Sequence, residues 1–131
     1  MITSKFEIDR DFIIDERGSF LKIMNGSEDF LNKEFGEIYI VNVLVNQTRA
    51  NHFHKTAFEW FTPIFGNGIL ILENIISRDR KIFELNSKAP KTYIIPPNYA
   101  HSLINNNCNN FTIIAYSSIK YDKADTFEYI F

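Results

Sequence analysis

Apolar residues recur along this chain in short runs of alternating or β-branched character, and turn residues separate the runs. Ile38–Val45 alternates in the manner of a half-buried strand. Phe12–Ile14 and Phe20–Met24 flank the turn residues Asp15-Glu16-Arg17-Gly18. Phe58–Phe65 ends at Gly66-Asn67-Gly68 and Ile69–Ile76 follows at once, so the pair predicts a hairpin. Arg80–Leu85, Thr92–Ile95, Phe111–Ser117 and Thr126–Phe131 predict further strands. Strands at this spacing predict a sandwich or a barrel. One helical turn is predicted over Ser27–Glu34, capped by Ser27, with Glu28 and Asp29 suited to a helix N-terminus. Pro63 interrupts the pattern. Its ring removes a ladder donor, which predicts a bulge or an edge within Phe58–Phe65.

Composition narrows the classes. A chain of 131 residues suits one domain, residues 1–131, and 45% apolar content is enough for one core. The 13 Phe and 6 Tyr favour strands over helices. Net charge is −2 with no basic block, which argues against phosphate-driven nucleic-acid binding. The one cysteine, Cys108, can form no internal disulfide and fits a reducing compartment. The N-terminal stretch is too charged for a secretory signal and no apolar run reaches membrane-spanning length. The expected location is the cytoplasm, without membrane association.

Candidate chemistry gathers at three places. His52-Phe53-His54 has period two, so on a strand both imidazoles face the same way. Glu59 lies five residues after His54, an odd offset, and an irregular segment is needed to bring it round. His101 follows Pro96-Pro97-Asn98-Tyr99-Ala100. Imidazoles with a carboxylate suit a divalent transition metal such as Zn, Ni, Fe or Mn.

His52-x-His54-x4-Glu59-x6-Gly66 resembles the first cupin motif, and Pro96-x-Asn98-x2-His101-x3-Asn105 resembles the second, with Asn98 where glycine is usual. All three histidines of the chain fall on motif positions. The resemblance implies an all-β cupin fold, a double-stranded β-helix or jelly-roll-like barrel, with the site inside its mouth. It also implies a metal set of His52, His54, Glu59 and His101, with zinc the expected ion. Asn98 is expected to adopt a positive φ.

A narrower likeness runs from about Phe12 to Phe127. Asp15-Glu16-Arg17-Gly18-Ser19-Phe20 resembles the DERGxF opening of cupin nucleotide-sugar epimerases and ketoisomerases. Arg49-Ala50-Asn51-His52-Phe53-His54-Lys55-Thr56 resembles their RGxHxHK segment, with Ala50 replacing Gly. Tyr121-Asp122 through Ala124-Asp125-Thr126-Phe127 is similar to the ending of the C-terminal cupin domain of CapF-type capsular polysaccharide enzymes. That family implies metal-bound epimerisation of a 4-keto-6-deoxy hexose carried on a nucleoside diphosphate, in surface polysaccharide biosynthesis. The CapF-type cupin is joined to a reductase domain. No such domain is read in this chain, so reduction is expected to fall to a separate protein. The likeness also implies a homodimer.

Roles follow from the chemistry. Removing a proton α to a ketone needs a base and stabilisation of the enolate oxygen. A metal on His52, His54, Glu59 and His101 can polarise the ketone. Without metal, as in the similar dTDP-sugar 3,4-ketoisomerases, His52 or His54 serves as base. Lys55 and Tyr99 are candidate proton donors, and Tyr116 a candidate shuttle or substrate contact. Arg17 and Arg49 suit the diphosphate, with Asn51 beside Arg49. Phe20 and Trp60 can stack on base or sugar, with packing as the plainer role. A non-catalytic sugar- or metal-binding cupin and an iron-dependent cupin oxygenase are the competing readings.

Overall fold

The computed structural model describes residues 6–24, 26, 28 and 35–131. The helical turn expected over Ser27–Glu34 lies outside the described residues, except for Glu28. Twelve strands are described: β1 (Glu7–Asp9), β2 (Phe12–Asp15), β3 (Gly18–Leu21), β4 (Glu37–Val43), β5 (Thr48–Phe53), β6 (Glu59–Phe65), β7 (Asn67–Asn74), β8 (Arg80–Asn86), β9 (Lys91–Ile95), β10 (Tyr99–Ile104), β11 (Phe111–Ser117) and β12 (Phe127–Glu128). One sheet runs β1-β9-β6-β11-β4 and the other β12-β5-β10-β7-β8, while β2 and β3 form a separate ribbon. Every pairing is antiparallel.

The two five-stranded sheets face each other because each strand alternates. On β11, Phe111, Ile113 and Ala115 belong to the core between the sheets, with Leu70, Leu72, Leu85, Leu103 and Phe61. The odd positions out, such as Tyr116, join Trp60 and Ile94 in a second cluster. That outer face is covered in part by the chain after β3, where Met24 packs against the second cluster. A buried pair, Arg10 Nη1 to Glu28 Oε1 at 2.7 Å, ties that segment down.

Two expectations meet different outcomes at neighbouring positions. Pro63 does carry a bulge: Thr112 opposes Phe65 and Ile113 opposes Pro63, leaving Ile64 as the extra residue. On the other side β9 ends its pairing at Phe61, so no ladder bond is asked of the proline. The hairpin expected from Phe58–Phe65 and Ile69–Ile76 does not form. β6 and β7 lie in different sheets, and Gly66 turns the corner between them. Gly66 has φ +74°, and a Cβ there would meet the Asn110 carbonyl oxygen at 2.3 Å. Asn98 holds φ +66°, as expected of its place in the second motif.

Candidate functional site

The site forms where the two sheets face each other. His101 on β10 stands directly opposite His52 on β5. That register depends on a bulge. His101 opposes His52 but Ser102 opposes Ala50, so Asn51 is the extra residue. Ala50 and Asn51 both adopt positive φ, at 72° and 55°. β5 then ends at Phe53, and residues 54–58 form the irregular segment that the His54–Glu59 spacing requires. Glu59 starts β6 and points in from the other sheet, 4% exposed.

One ligand atom from each of His52, His54, Glu59 and His101 falls within 4.8 Å of all the others. Hydrogen-bond chemistry fixes how two of these rings are turned. His54 Nδ1 lies 2.9 Å from the Asp125 carbonyl oxygen, and His101 Nδ1 lies 3.2 Å from that of Tyr99. A carbonyl can only accept, so both Nδ1 atoms carry hydrogen. In the neutral rings each Nε2 then presents a lone pair. His54 Nε2 is 3.0 Å and His101 Nε2 3.3 Å from the same Glu59 Oε1. Glu59 Oε1 and His101 Nε2 are buried and make no hydrogen bond of good geometry. Lone pairs aimed at one carboxylate oxygen repel unless a cation lies among them. Either a proton or a divalent metal answers that need, so the donor set fits a metal. Glu59 Oε2 accepts a short bond from the Tyr39 hydroxyl.

Protonation follows the same geometry. Burial, and then the neighbouring His101 and His54 rings, push His52 down to about 4, which keeps it neutral near pH 7. Burial also opposes charge on His54, but the Glu59 carboxylate and the Asp125 carbonyl lift its value above the ordinary one. Burial works against the Glu59 carboxylate as well, yet His101 and His54 hold it well below the usual range. Burial, reinforced by Glu59, raises the Tyr39 phenol.

A cavity of about 300 Å³ opens onto the four residues. Tyr39 and Val41 of β4, Arg49 of β5 and Lys120, Tyr121 and Asp122 of the C-terminal segment form part of its wall. The C-terminal segment continues through a 3-10 turn, Lys123–Asp125, into β12, which pairs with β5 at Phe53 and His52. The buried Asp125 carboxylate accepts three consecutive backbone amides, those of Lys55, Thr56 and Ala57, each at 3.0 Å.

Residues 13–129 match the family described as the polysaccharide biosynthesis C-terminal domain. The chain belongs to this family. Solved structures share its fold. A dTDP sugar isomerase from Desulfovibrio desulfuricans G20 superposes with a TM-score of 0.86 at 16% identity, over 95% of this chain and 82% of that one. The epimerase RmlC of Legionella pneumophila Philadelphia 1, solved with dTDP-4-keto-L-rhamnose, gives 0.81 at 15% identity, over 93% and 70%. The capsular polysaccharide assembling protein CapF of Staphylococcus aureus gives 0.70 at 20% identity, over 93% of this chain but 33% of that one. The fold is therefore the all-β cupin barrel. No curated protein matches the chain in sequence.

In this polysaccharide-biosynthesis domain, the expected residues divide by position. His52, His54, Glu59 and His101 come together, and Arg49 lines the same cavity. Tyr116 does not reach it. Ala115 and Ser117 take the inward positions of β11, so Tyr116 faces out and packs edge-on to Trp60 at 5.9 Å. Trp60 is accordingly a packing residue. Tyr99 packs edge-on to Phe6 at 5.3 Å and offers the site its carbonyl rather than its hydroxyl. Lys55 is exposed and lies over the Phe127 ring at 4.5 Å, outside the cavity wall. Asn51 is the bulge residue, and its carbonyl accepts from Tyr129 N at 2.9 Å. Arg17 and Phe20 lie on the β2–β3 ribbon, exposed and outside the wall of this cavity, with Arg17 bonded to Asp15 at 2.7 Å.

Tyr39 and Lys120 line the cavity without any signal in the sequence. Tyr39 alternates like any core residue of β4, and Lys120 carries no motif. Asp125 does lie in the tail that resembles the CapF-type ending.

Proposed function

We propose that this chain is an isomerase that epimerises a nucleoside-diphosphate-linked 4-keto-6-deoxy hexose next to its ketone, in surface polysaccharide biosynthesis. The convergence of three imidazoles and one carboxylate in a cavity with Arg49 and Lys120 in its wall carries this reading. Family membership and the sugar-nucleotide epimerases and isomerases that share the fold support it.

Epimerisation through an enolate needs positive charge beside the ketone oxygen and a proton acceptor beside the α-carbon. His52, His54, Glu59 and His101 are the residues that would hold a divalent metal, with zinc the expected ion, and a bound metal supplies that positive charge. The chain's own groups do the rest. Glu59 arrives from the opposite sheet, buried and ionised, and Tyr39 fixes its second oxygen. The Nδ1 bonds to the Asp125 and Tyr99 carbonyls keep His54 and His101 turned inward. Arg49 and Lys120 supply cations for the diphosphate. The substrate partner is thus a nucleotide sugar.

One observation favours a second reading. His52 is held neutral while His54 is favoured as imidazolium, which sets a base and an acid side by side without metal. In that reading the chain is a metal-free 3,4-ketoisomerase of a dTDP-keto sugar, with His52 as base.

Incubation with UDP- and dTDP-linked 4-keto-6-deoxy sugars in D₂O, followed by NMR, tests both. Deuterium should enter the carbon next to the ketone. Turnover without exchange rules out an enolate, and absence of binding to any nucleotide sugar leaves a non-catalytic sugar- or metal-binding cupin. Elemental analysis of protein purified without chelator separates the two enzyme readings. About one transition metal per chain supports the epimerase, and metal-free protein with full activity supports the ketoisomerase.

A further inference from the structure

The segment between the two halves of the first motif, residues 54–58, has no sheet partner for its amides. Backbone N–H groups left unpaired away from water destabilise a fold, so each needs an acceptor. Three of them, in Lys55, Thr56 and Ala57, converge on one carboxylate, that of Asp125, 70, 69 and 68 residues further along the chain. Phe58 N turns to the Ser118 hydroxyl at 3.0 Å. The same Asp125 offers its carbonyl to His54 Nδ1. One residue, 8% exposed, therefore holds both the path of the chain from His54 to Glu59 and the orientation of the His54 ring.

We propose that Asp125 is the positioning residue of the site: its three amide bonds shape the 54–58 segment, and its carbonyl sets the His54 tautomer that aims Nε2 at Glu59. The physical need is specific. A neutral imidazole free in water populates both tautomers, and a half-turn of the ring about its second side-chain torsion puts carbon where each nitrogen stood. Only an acceptor placed at Nδ1 keeps the lone pair of Nε2 on the side of Glu59 and His101. The 3-10 turn that holds this carbonyl is only three residues long, and the next anchor, the pairing of β12 with β5, begins two residues further on. The carboxylate, bound to the loop that follows His54, locks carbonyl and ring to the same piece of backbone. A change at Asp125 should thus loosen His54 and Glu59 together while leaving His52 and His101, which lie on paired strands, in register.

The part of this proposal that concerns metal rests on the metal-binding reading above; the tautomer does not. The test uses the full chain labelled with ¹⁵N-histidine, as wild type, Asp125→Asn and Asp125→Ala. Tyr129→Phe is the control, because it removes a different side-chain tie of the C-terminal segment, the Tyr129 hydroxyl with its bonds to Glu73 and Arg78. Long-range ¹H–¹⁵N NMR at alkaline pH reports the tautomer of each ring, and calorimetric titration with Zn²⁺ reports affinity. Wild type should show His54 as the Nδ1–H form. Asp125→Ala should mix the two forms at His54 alone and weaken Zn²⁺ by about 10- to 100-fold. Asp125→Asn keeps a carbonyl oxygen for part of the loop and should fall between. Tyr129→Phe should leave tautomer and affinity unchanged even where it lowers Tm. An unaltered His54 tautomer in folded Asp125→Ala or Asp125→Asn overturns the proposal. So does an equal effect of Tyr129→Phe, which would mean general loosening of the tail. Loss of folding in both Asp125 variants overturns it too, because Asp125 would then serve the fold as a whole. If wild type binds no Zn²⁺, the metal reading fails and the tautomer still decides the role of Asp125.

Discussion

Two neighbouring residues, Ala50 and Asn51, carry the local strain on which the site's register depends. Both lie in left-handed backbone, where an L-residue other than glycine is disfavoured by about 1–2 kcal/mol, less for asparagine. Ala50→Gly should relieve that strain, against the extra chain entropy of glycine, and stabilise the protein by about 0.5–1 kcal/mol. Thermal melts check it, and a lower Tm would show that the side chain contributes more by packing than it costs in strain. Arg49, next along the same strand, reaches the cavity but is exposed. Arg49→Ala should raise KM about fivefold, near 1 kcal/mol, with little change in kcat. Steady-state kinetics on the sugar nucleotide that turns over reads this, and a fall confined to kcat would contradict the diphosphate role. His52 offers a pH test in chelator-treated protein. The unfolded chain binds its proton at the ordinary value of 6.5, whereas the fold accepts it only at about 4. The unfolded state therefore holds more protons in that window, and His52 makes stability fall as pH drops from 6.5 to 4. His54, shifted upward, works in the opposite direction and loses its contribution as pH rises through its raised value. Denaturant titrations across the window should show a shallower slope for His52→Gln than for wild type.

Two backbones pass closely where β4 begins. A Cβ on Gly36 would lie 2.1 Å from the Ile119 carbonyl carbon, and Gly36 N donates to Ser117 O at 3.1 Å. Ile119 leads into Lys120 and Tyr121, so this contact seats one wall of the cavity against β4. Backbone cannot yield as a flexible side chain can. Gly36→Ala should cost on the order of 2–3 kcal/mol and weaken substrate binding as well. Urea unfolding and a binding titration check the two halves separately, and a neutral Gly36→Ala would mean that the C-terminal segment moves freely on β4. The β6–β7 corner makes a related point. Its Gly-Asn-Gly signal reads as a hairpin turn, yet Gly66 is needed for close passage beside Asn110.

Among the described residues β4 is an edge strand whose outer face shows Ile38 and Ile40, 52% and 64% exposed, in a sheet that also exposes Phe65 of β6 two strands away. An apolar face on a free sheet edge favours pairing with another chain. The homodimer expected from the family likeness is best served by this surface. Light scattering should give about twice the chain mass of 15.4 kDa, and Ile40→Lys should shift it toward monomer. A monomeric wild type would remove this reading of the face. No described helix is long and apolar enough to cross a membrane.

Local chemistry determined much of this protein on its own. Period-two spacing placed His52 and His54 together, the odd offset to Glu59 called for an irregular segment, Pro63 called for a bulge or an edge, and the likeness to the second cupin motif called for a positive φ at Asn98. Each of these depends on a few adjacent residues, and each is present. What faces what was decided only by the tertiary structure. Pairing partners lie far apart in sequence, and one extra residue reverses every side chain beyond it. Hence Tyr116 faces outward, Tyr99 gives a carbonyl in place of its hydroxyl, and β6 and β7 part into different sheets. For the same reason Asp125 was unreadable as a site residue: its partners are three backbone amides nearly seventy residues away, and backbone groups leave no mark in an amino-acid sequence.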